Sequence, residues 1–391
     1  MNTSKNAINY YNLDGTIRAE YPEKTLKHLN ELLPLFGITR VANITGLDNV
    51  GISVATCIRP NAKHLSVSQG KGFTQVLAEV SAIMEAIEAY HAENYPDPVF
   101  NGAYTELKKQ YPLVNPNLFN KTKFINKNLE NLEIGWSRAL NLRTSEEIYI
   151  PHILACLDST QPHLEYAFLS VSTNGLAAGN TDEEAICHAL YELIERDALF
   201  HWRQFSGQRR KEYLLSNESI DDEINKTLVH KFKQANLFIK IWEITSKLGI
   251  PTFHCALYDE NLFRSLGLFT GTGTHLSKEI ALSRALMEVA QARLTLISGN
   301  RDDIFPDYYH KQQSFNRSIE EHLLINGNHL YQNCSSMNYQ RSFTDNIKQI
   351  TSTLLDHNYD DIYIINHTKL DINIKVVQAF VPGLQFNGSR M

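Results

Sequence analysis

Carboxylates recur at a fixed interval in three stretches of the chain: Ser81, Glu85 and Glu88; His188, Glu192 and Glu195; and Arg284, Glu288 and Gln291. In each stretch a polar residue is followed by Glu four positions later and by Glu or Gln three after that. On an α-helix these positions share one narrow stripe. The residues between them are largely Ala, Ile, Leu and Met, among which an ionised carboxylate is costly unless it is paired or binds a cation. Glu184 precedes Glu195 by close to three full turns, so Glu184, Glu192 and Glu195 can face one ligand. Glu85, Glu88 and Glu288 bring the candidates to six, with Lys71, Arg196, Arg284 and Arg293 as nearby cations. That mixture suits Mg²⁺ bridged to phosphates, because Mg²⁺ takes one or two carboxylates together with phosphate oxygens and water. One Glu-x-x-Glu alone is an ordinary solvated helix face. Three matched copies, each behind a run of small residues, point to a shared polyvalent ligand.

Other patterns carry less. Gly70-Lys71-Gly72 has Leu65 and Gly72 where a P-loop needs Gly and Ser or Thr. Gly271-Thr-Gly273-Thr-His275 has two of the three glycines of a dinucleotide fingerprint and no acidic residue in a convincing βαβ context. His188 reads as a hydrogen-bonded structural histidine, and Cys187, beside the stripe, as a packed core thiol. No Ser-His-Asp or Cys-His set can be nominated from spacing.

These stripes need elements to hold them. The 391 residues are 43% hydrophobic, enough for a substantial core, and the net charge of −6 argues against general affinity for nucleic acid or anionic membrane. The five scattered cysteines form no CxxC pair, which argues against disulfides and a structural zinc. The N-terminus has no apolar signal region and no apolar run approaches a membrane span, so a cytoplasmic protein is expected.

Pro22 opens an expected helix that stops at Gly37. Residues 38–45 and 53–58 read as a hairpin with a long loop. Striped helices are expected over 73–94, from a cap at Thr181 or Asp182 to about His201, and over 278–298, each after a glycine-containing loop whose N–H groups could favour anions. Residues 101–132 read as a surface excursion. Strands are expected over 135–150, 154–157, 237–245, 252–258, 362–366 and 374–381, with a polar stretch over 299–343 and a helix over 346–357. No linker is visible, so one multi-lobed domain is expected, with an N-terminal helix and strands over 1–65 and a ligand-binding region over 66–391.

At these motifs the sequence resembles the YcaO family of ATP-dependent enzymes that activate peptide backbone amides. The resemblance runs from about Gly15 to Pro382 through Ser68-Gln-Gly-Lys-Gly72, Ser81 to Glu88, Asn174 to Glu184, Glu192-Leu-Ile-Glu-Arg-Asp197 and Arg284 to Arg293. It implies an α+β YcaO-type fold, with mixed or antiparallel sheets and long helices converging on a nucleotide site. It further implies ATP and Mg²⁺ as cofactors, with Glu85, Glu88, Glu192 and Glu195 as Mg²⁺ ligands. Lys71, Ser81, Asn180, Glu184, Arg196, Arg284 and Glu288 would bind or organise the nucleotide. Members add a nucleophile to a peptide carbonyl and transfer the γ-phosphoryl of ATP to the resulting oxyanion, and phosphate then departs.

A side-chain nucleophile gives an azoline, sulfide a thioamide and a backbone amine an amidine. Azoline-forming members usually end in a proline-rich tail, whereas this chain ends Val381-Pro-Gly-Leu-Gln-Phe-Asn-Gly-Ser-Arg-Met391. Gly15-Thr-Ile-Arg18 and Gly37 to Gly46 look like members that work with a TfuA-type protein. Thioamide formation on a peptide or protein, with sulfur delivered by that partner, is therefore the favoured reading. The alternatives are an azoline-forming cyclodehydratase and an ATP-binding accessory factor for ribosomal protein methylthiolation. A homodimer is expected from the resemblance.

Overall fold

The computed structural model describes residues 11–13, 15–121, 128–160, 168–259, 266–305, 326–339, 342–369 and 372–386. Residues 387–391 of the chain end and much of the polar stretch over 299–343 lie outside these.

A short hairpin, β1 (Tyr11–Leu13) and β2 (Thr16–Arg18), leads into α1 (Pro22–Leu32), where Pro22 pre-sets the first turn. β3 (Arg40–Asn43), β4 (Ser53–Ile58) and β5 (Val67–Gly72) form an antiparallel sheet against which α2 (Gln75–Glu93) packs. This sheet runs across residue 65, the expected division of the chain. β6 (Phe100–Ala103), α3 (Tyr104–Leu107), β7 (Glu133–Asn141) and β8 (Glu147–Pro151) follow. The surface excursion thus contains regular elements, and the strand expected over 154–157 is absent: a 3-10 turn over 152–154 runs into an irregular segment over 155–157.

β9 (Leu176–Gly179) leads into α4 (Asp182–Arg203), then α5 (Gly207–Glu212) and α6 (Glu223–Gln234). β10 (Leu237–Glu243), β11 (Thr252–Asp259) and β12 (Phe269–Thr274) form a second antiparallel three-stranded sheet under α7 (Lys278–Ser298). After α8 (Phe343–Asp356), β13 (Tyr363–Asn366) and β14 (Lys375–Phe380) complete a sheet ordered β6-β7-β13-β14-β9, with β8 paired to β7. Among the described residues every pairing of named strands is antiparallel, in a mixed α and β architecture.

The unit read from the sequence recurs, with one correction. The runs over 67–72, 176–179 and 269–274 are strands, not loops. Their glycines serve contact with the helix that follows. A Cβ on Gly70 would lie 2.0 Å from the backbone nitrogen of Ala82, and one on Gly271 would lie 2.4 Å from that of Val289. Each helix starts alike: Thr74, Thr181 and Ser277 occupy the N-cap, and their side-chain oxygens accept the N–H of Leu77, Glu184 and Ile280. Strand-borne glycines therefore seat the striped helices directly on their sheets. No helix among the described residues is long and apolar enough to cross a membrane.

Candidate functional site

The polar lines of α2, α4 and α7 meet. On α2, Ser81 is half-buried, Glu85 exposed and Glu88 half-buried. Glu88 Oε1 accepts the N–H of Ala178 on the edge strand β9 at 2.6 Å. Burial holds the Glu88 carboxyl well above the usual range against that hydrogen bond, and Glu85 and Glu192 push it further up. On α4, Glu192 Oε2 accepts the N–H of Gly175 at 3.3 Å, and its Oε1 accepts from Arg196 Nη2 at 3.1 Å. Arg196 Nη1 lies 3.6 Å from Glu195 Oε1. Glu195 is buried. Its carboxyl is pushed up to about 7, first by burial and then by Glu288, with Arg196 and Arg284 opposing and Glu192 adding. Burial disfavours the Arg196 charge, but Glu192, Glu195 and Glu288 outweigh it and hold the guanidinium above its ordinary value. Lys71 Nζ on β5 reaches Glu288 Oε2 on α7 at 2.9 Å.

The Glu88 and Glu195 carboxyls are raised first by burial and then by neighbouring carboxylates, so their ionised forms call for a further cation. Such a donor set fits a divalent cation with oxygen preference. Gln291 departs from the stripe's pattern in role as well as type, because its Nε2 donates to the Gln69 carbonyl at 2.9 Å and ties α7 to β5.

A cavity continues from Ser81, Glu85 and Glu88 to Asn180, Glu184, His188 and Arg18. Glu184 is buried, and its oxygens are engaged by its surroundings. Oε2 accepts the Asn180 N–H at 2.8 Å and its Nδ2 at 3.0 Å, Oε1 accepts the Ala19 N–H at 3.4 Å, and Arg18 Nε lies 3.9 Å away. Thr25 on α1 donates to Asn180 Oδ1 at 3.0 Å. Arg18 Nη1 donates to His188 Nε2 at 3.2 Å. Burial, with Arg18, Arg284 and His275 nearby, pushes the His188 imidazole well below its usual range, so it is neutral.

A family model described as YcaO cyclodehydratase, ATP- and Mg²⁺-binding, matches residues 69–385, most of the chain. The chain belongs to the YcaO family. It is an ATP-dependent enzyme of the cyclodehydratase type, with ATP and Mg²⁺ as cofactors. An uncharacterized protein of Methanothermobacter thermautotrophicus is 33% identical over 377 residues, covering 94% of this chain and 95% of its own. A protein encoded in the tfuA 3' region of Rhizobium leguminosarum bv. trifolii is 29% identical, covering 94% and 88%. Among solved structures, a heterocyclase in complex with substrate and cofactor aligns with TM-score 0.78 at 21% identity. The alignment covers 97% of this chain but 55% of that one, so this chain spans little more than half of the longer protein. YcaO from Methanopyrus kandleri, bound with AMPPCP and Mg²⁺, aligns with TM-score 0.76 at 21% identity, covering 96% and 94%. At such identity the two structures establish the fold.

Within this YcaO protein the sequence-derived site needs two adjustments. Arg293 does not join the carboxylate cluster, because it is buried between Asp48, 2.9 Å from its Nε, and Asp259, 3.1 Å from its Nη1. Glu184 shares the cavity but not the Glu192–Glu195 cluster, since its oxygens position Asn180 and Arg18. Arg18 is the residue that spacing did not nominate. It lies on a strand far from the striped helices in sequence, and its only signal was membership of the Gly15-Thr-Ile-Arg18 phrase.

The raised carboxyl of Glu195 has a measurable consequence for the YcaO chain without Mg²⁺. Glu195 keeps its proton up to about pH 7 when folded, against an ordinary value of 4.5. Between those values the folded state binds more protons than the unfolded one. The stability this group contributes is therefore full below about pH 4.5 and lost as pH rises to about 7. Denaturant unfolding of the metal-free protein at about pH 5 and about pH 8 should show a decline that Glu195→Gln lessens by roughly 1–3 kcal/mol. An identical decline in wild type and variant would place the titration elsewhere.

Proposed function

We propose that this YcaO protein activates a peptide backbone amide by O-phosphorylation for attack by external sulfide, giving a thioamide. The observation that carries the reading is the meeting of Glu85, Glu88, Glu192, Glu195 and Glu288 from three helices beside Lys71, Arg196 and Arg284. In this reading Glu85, Glu88, Glu192 and Glu195 hold Mg²⁺. Lys71, Ser81, Arg196, Arg284 and Glu288 face the nucleotide, and Glu184 sets the Asn180 amide and Arg18 at the far end of the cavity. ATP supplies the phosphoryl group, and Mg²⁺ offsets charge on the phosphates.

The chain's residues perform binding and orientation. Lys71, drawn to Glu288, and Arg196, drawn to Glu192 and Glu195, are held where phosphate charge would lie. Cations fixed beforehand cost no reorganisation as charge moves. Arg18, with Arg284 nearby, supplies positive charge at the His188 end of the cavity. In the overall change the carbonyl carbon gains a bond to sulfur and loses its bond to oxygen. That oxygen leaves as inorganic phosphate, and ATP becomes ADP.

Sulfide as the nucleophile is supported by the relative encoded beside tfuA, which also suggests a TfuA-type sulfur-delivery partner. Azoline formation on a Cys, Ser or Thr side chain is the second reading, supported by the cyclodehydratase description of the family model. The two separate by mass. With ATP, Mg²⁺, sulfide, the TfuA-type partner and a candidate peptide, oxygen-to-sulfur exchange adds about 16 Da, and dehydration removes about 18 Da. A product lighter by the second amount, formed without sulfide, would replace the thioamide reading.

A further inference from the structure

Away from the carboxylate cluster, three metal-competent side chains come together. Glu243 ends β10, and His329 and Cys334 flank a 3-10 turn over Tyr331–Asn333. One ligand atom from each lies within 4.8 Å of the others. Glu243 and Cys334 are 8% and 5% exposed, so the cluster is set into the protein. We propose that Glu243, His329 and Cys334 form a zinc site separate from the nucleotide centre.

The donor set decides the metal. Thiolate, imidazole and carboxylate together favour Zn²⁺, whereas Mg²⁺ and Ca²⁺ take oxygen donors. Tetrahedral Zn²⁺ places its ligand atoms roughly 3.3–3.7 Å apart, so the three atoms need shifts of about an ångström. His329 Nε2 and Glu243 Oε2, now 2.8 Å apart, would open slightly to admit the ion between them. The carboxylate is already oriented for this. Its Oε1 accepts the Ser335 N–H at 2.7 Å and the Thr245 hydroxyl at 3.1 Å, leaving Oε2 toward His329. Hydrogen bonds of this kind fix a ligating carboxylate.

The backbone bearing His329 and Cys334 is held independently of any metal. The His329 N–H donates to the Leu214 carbonyl at 3.0 Å, and the His329 carbonyl accepts the Ser216 N–H at 2.9 Å. Tyr331 is fully buried, and its N–H donates to Ser219 Oγ at 2.9 Å. Gly327 permits the crossing, since a Cβ there would lie 2.0 Å from the Leu215 carbonyl oxygen. Three protein donors leave a fourth position for water or an exogenous anion. Counting cysteine pairs misses such a site, because it uses one cysteine.

The test uses the full chain with Zn²⁺ and Co²⁺ in excess Mg²⁺. The site predicts one equivalent of Zn²⁺ per chain retained through desalting, and a thiolate-to-metal charge-transfer band with Co²⁺. Cys334→Ser should lose the band and weaken Zn²⁺ binding by about 100-fold or more, beyond the loss typical of an outer-shell change. Glu192→Gln, on the nucleotide cluster, should keep both. Zinc retained equally by wild type and Cys334→Ser, or a Co²⁺ spectrum without a thiolate band, overturns the site. Should Cys334→Ser fail to fold, zinc-edge X-ray absorption of the wild type decides: one sulfur in the shell supports the site, and nitrogen and oxygen alone refute it.

Discussion

Glu192→Gln lowers Mg²⁺-dependent ATP turnover by a factor of about 100 to 1,000 with little change in stability, a loss typical of removing one preorganised charge-stabilising group. Gln preserves the shape of Glu192 and an acceptor for the Gly175 N–H. The substitution removes the charge that Arg196 pairs with and that raises the carboxyls of Glu88 and Glu195. On the proposed assignment the cluster then holds one fewer anionic ligand for Mg²⁺ and a guanidinium less firmly placed. Steady-state ATP hydrolysis and titration of a non-hydrolysable analogue measure the two effects, and raised Mg²⁺ should recover part of the loss. A variant within about threefold of wild type at saturating Mg²⁺ would remove Glu192 from the metal set.

Gly70→Ala is expected to destabilise the protein by about 4 kcal/mol or more, at the upper end for single substitutions. The added Cβ would lie 2.0 Å from the Ala82 nitrogen and 2.2 Å from the Ala78 carbonyl oxygen. Both are backbone atoms of α2, so no rotamer change relieves the overlap, and either β5 or α2 must move. Either shift also displaces Lys71 or Ser81, Glu85 and Glu88. Gly46→Ala is the matched control, because no atom lies within 4 Å of its added Cβ. Denaturant unfolding of the two variants compares them, and equal stabilities would show that the strand and helix can separate freely.

The sequence's own reach was long where periodicity and chemistry coincided. The interval of polar residues on Ala- and Leu-rich segments placed α2, α4 and α7. Thr181 precedes a helix because a side-chain oxygen can satisfy an N–H the helix leaves open. The residue types of the stripes, acids with interleaved bases, specified Mg²⁺-phosphate chemistry, and the motifs specified the family. Such features are local, because a helix brings i, i+4 and i+7 together whatever surrounds it.

Only the tertiary structure decided which stripes share a site and on what terms. Arg293 and Arg196 look alike in sequence. Packing gives the first two half-buried aspartates to hold and the second the carboxylate cluster. Glu184 and Glu195 lie on one helix, yet one is occupied by Asn180 and Ala19 while burial raises the other's carboxyl to about 7. Small-residue runs that suggested anion-binding loops became strands, because glycine also permits a helix backbone to touch a sheet. Arg18 and the Glu243–His329–Cys334 cluster join residues distant along the chain. Chain closure and packing set such contacts, and residue spacing carries no record of them.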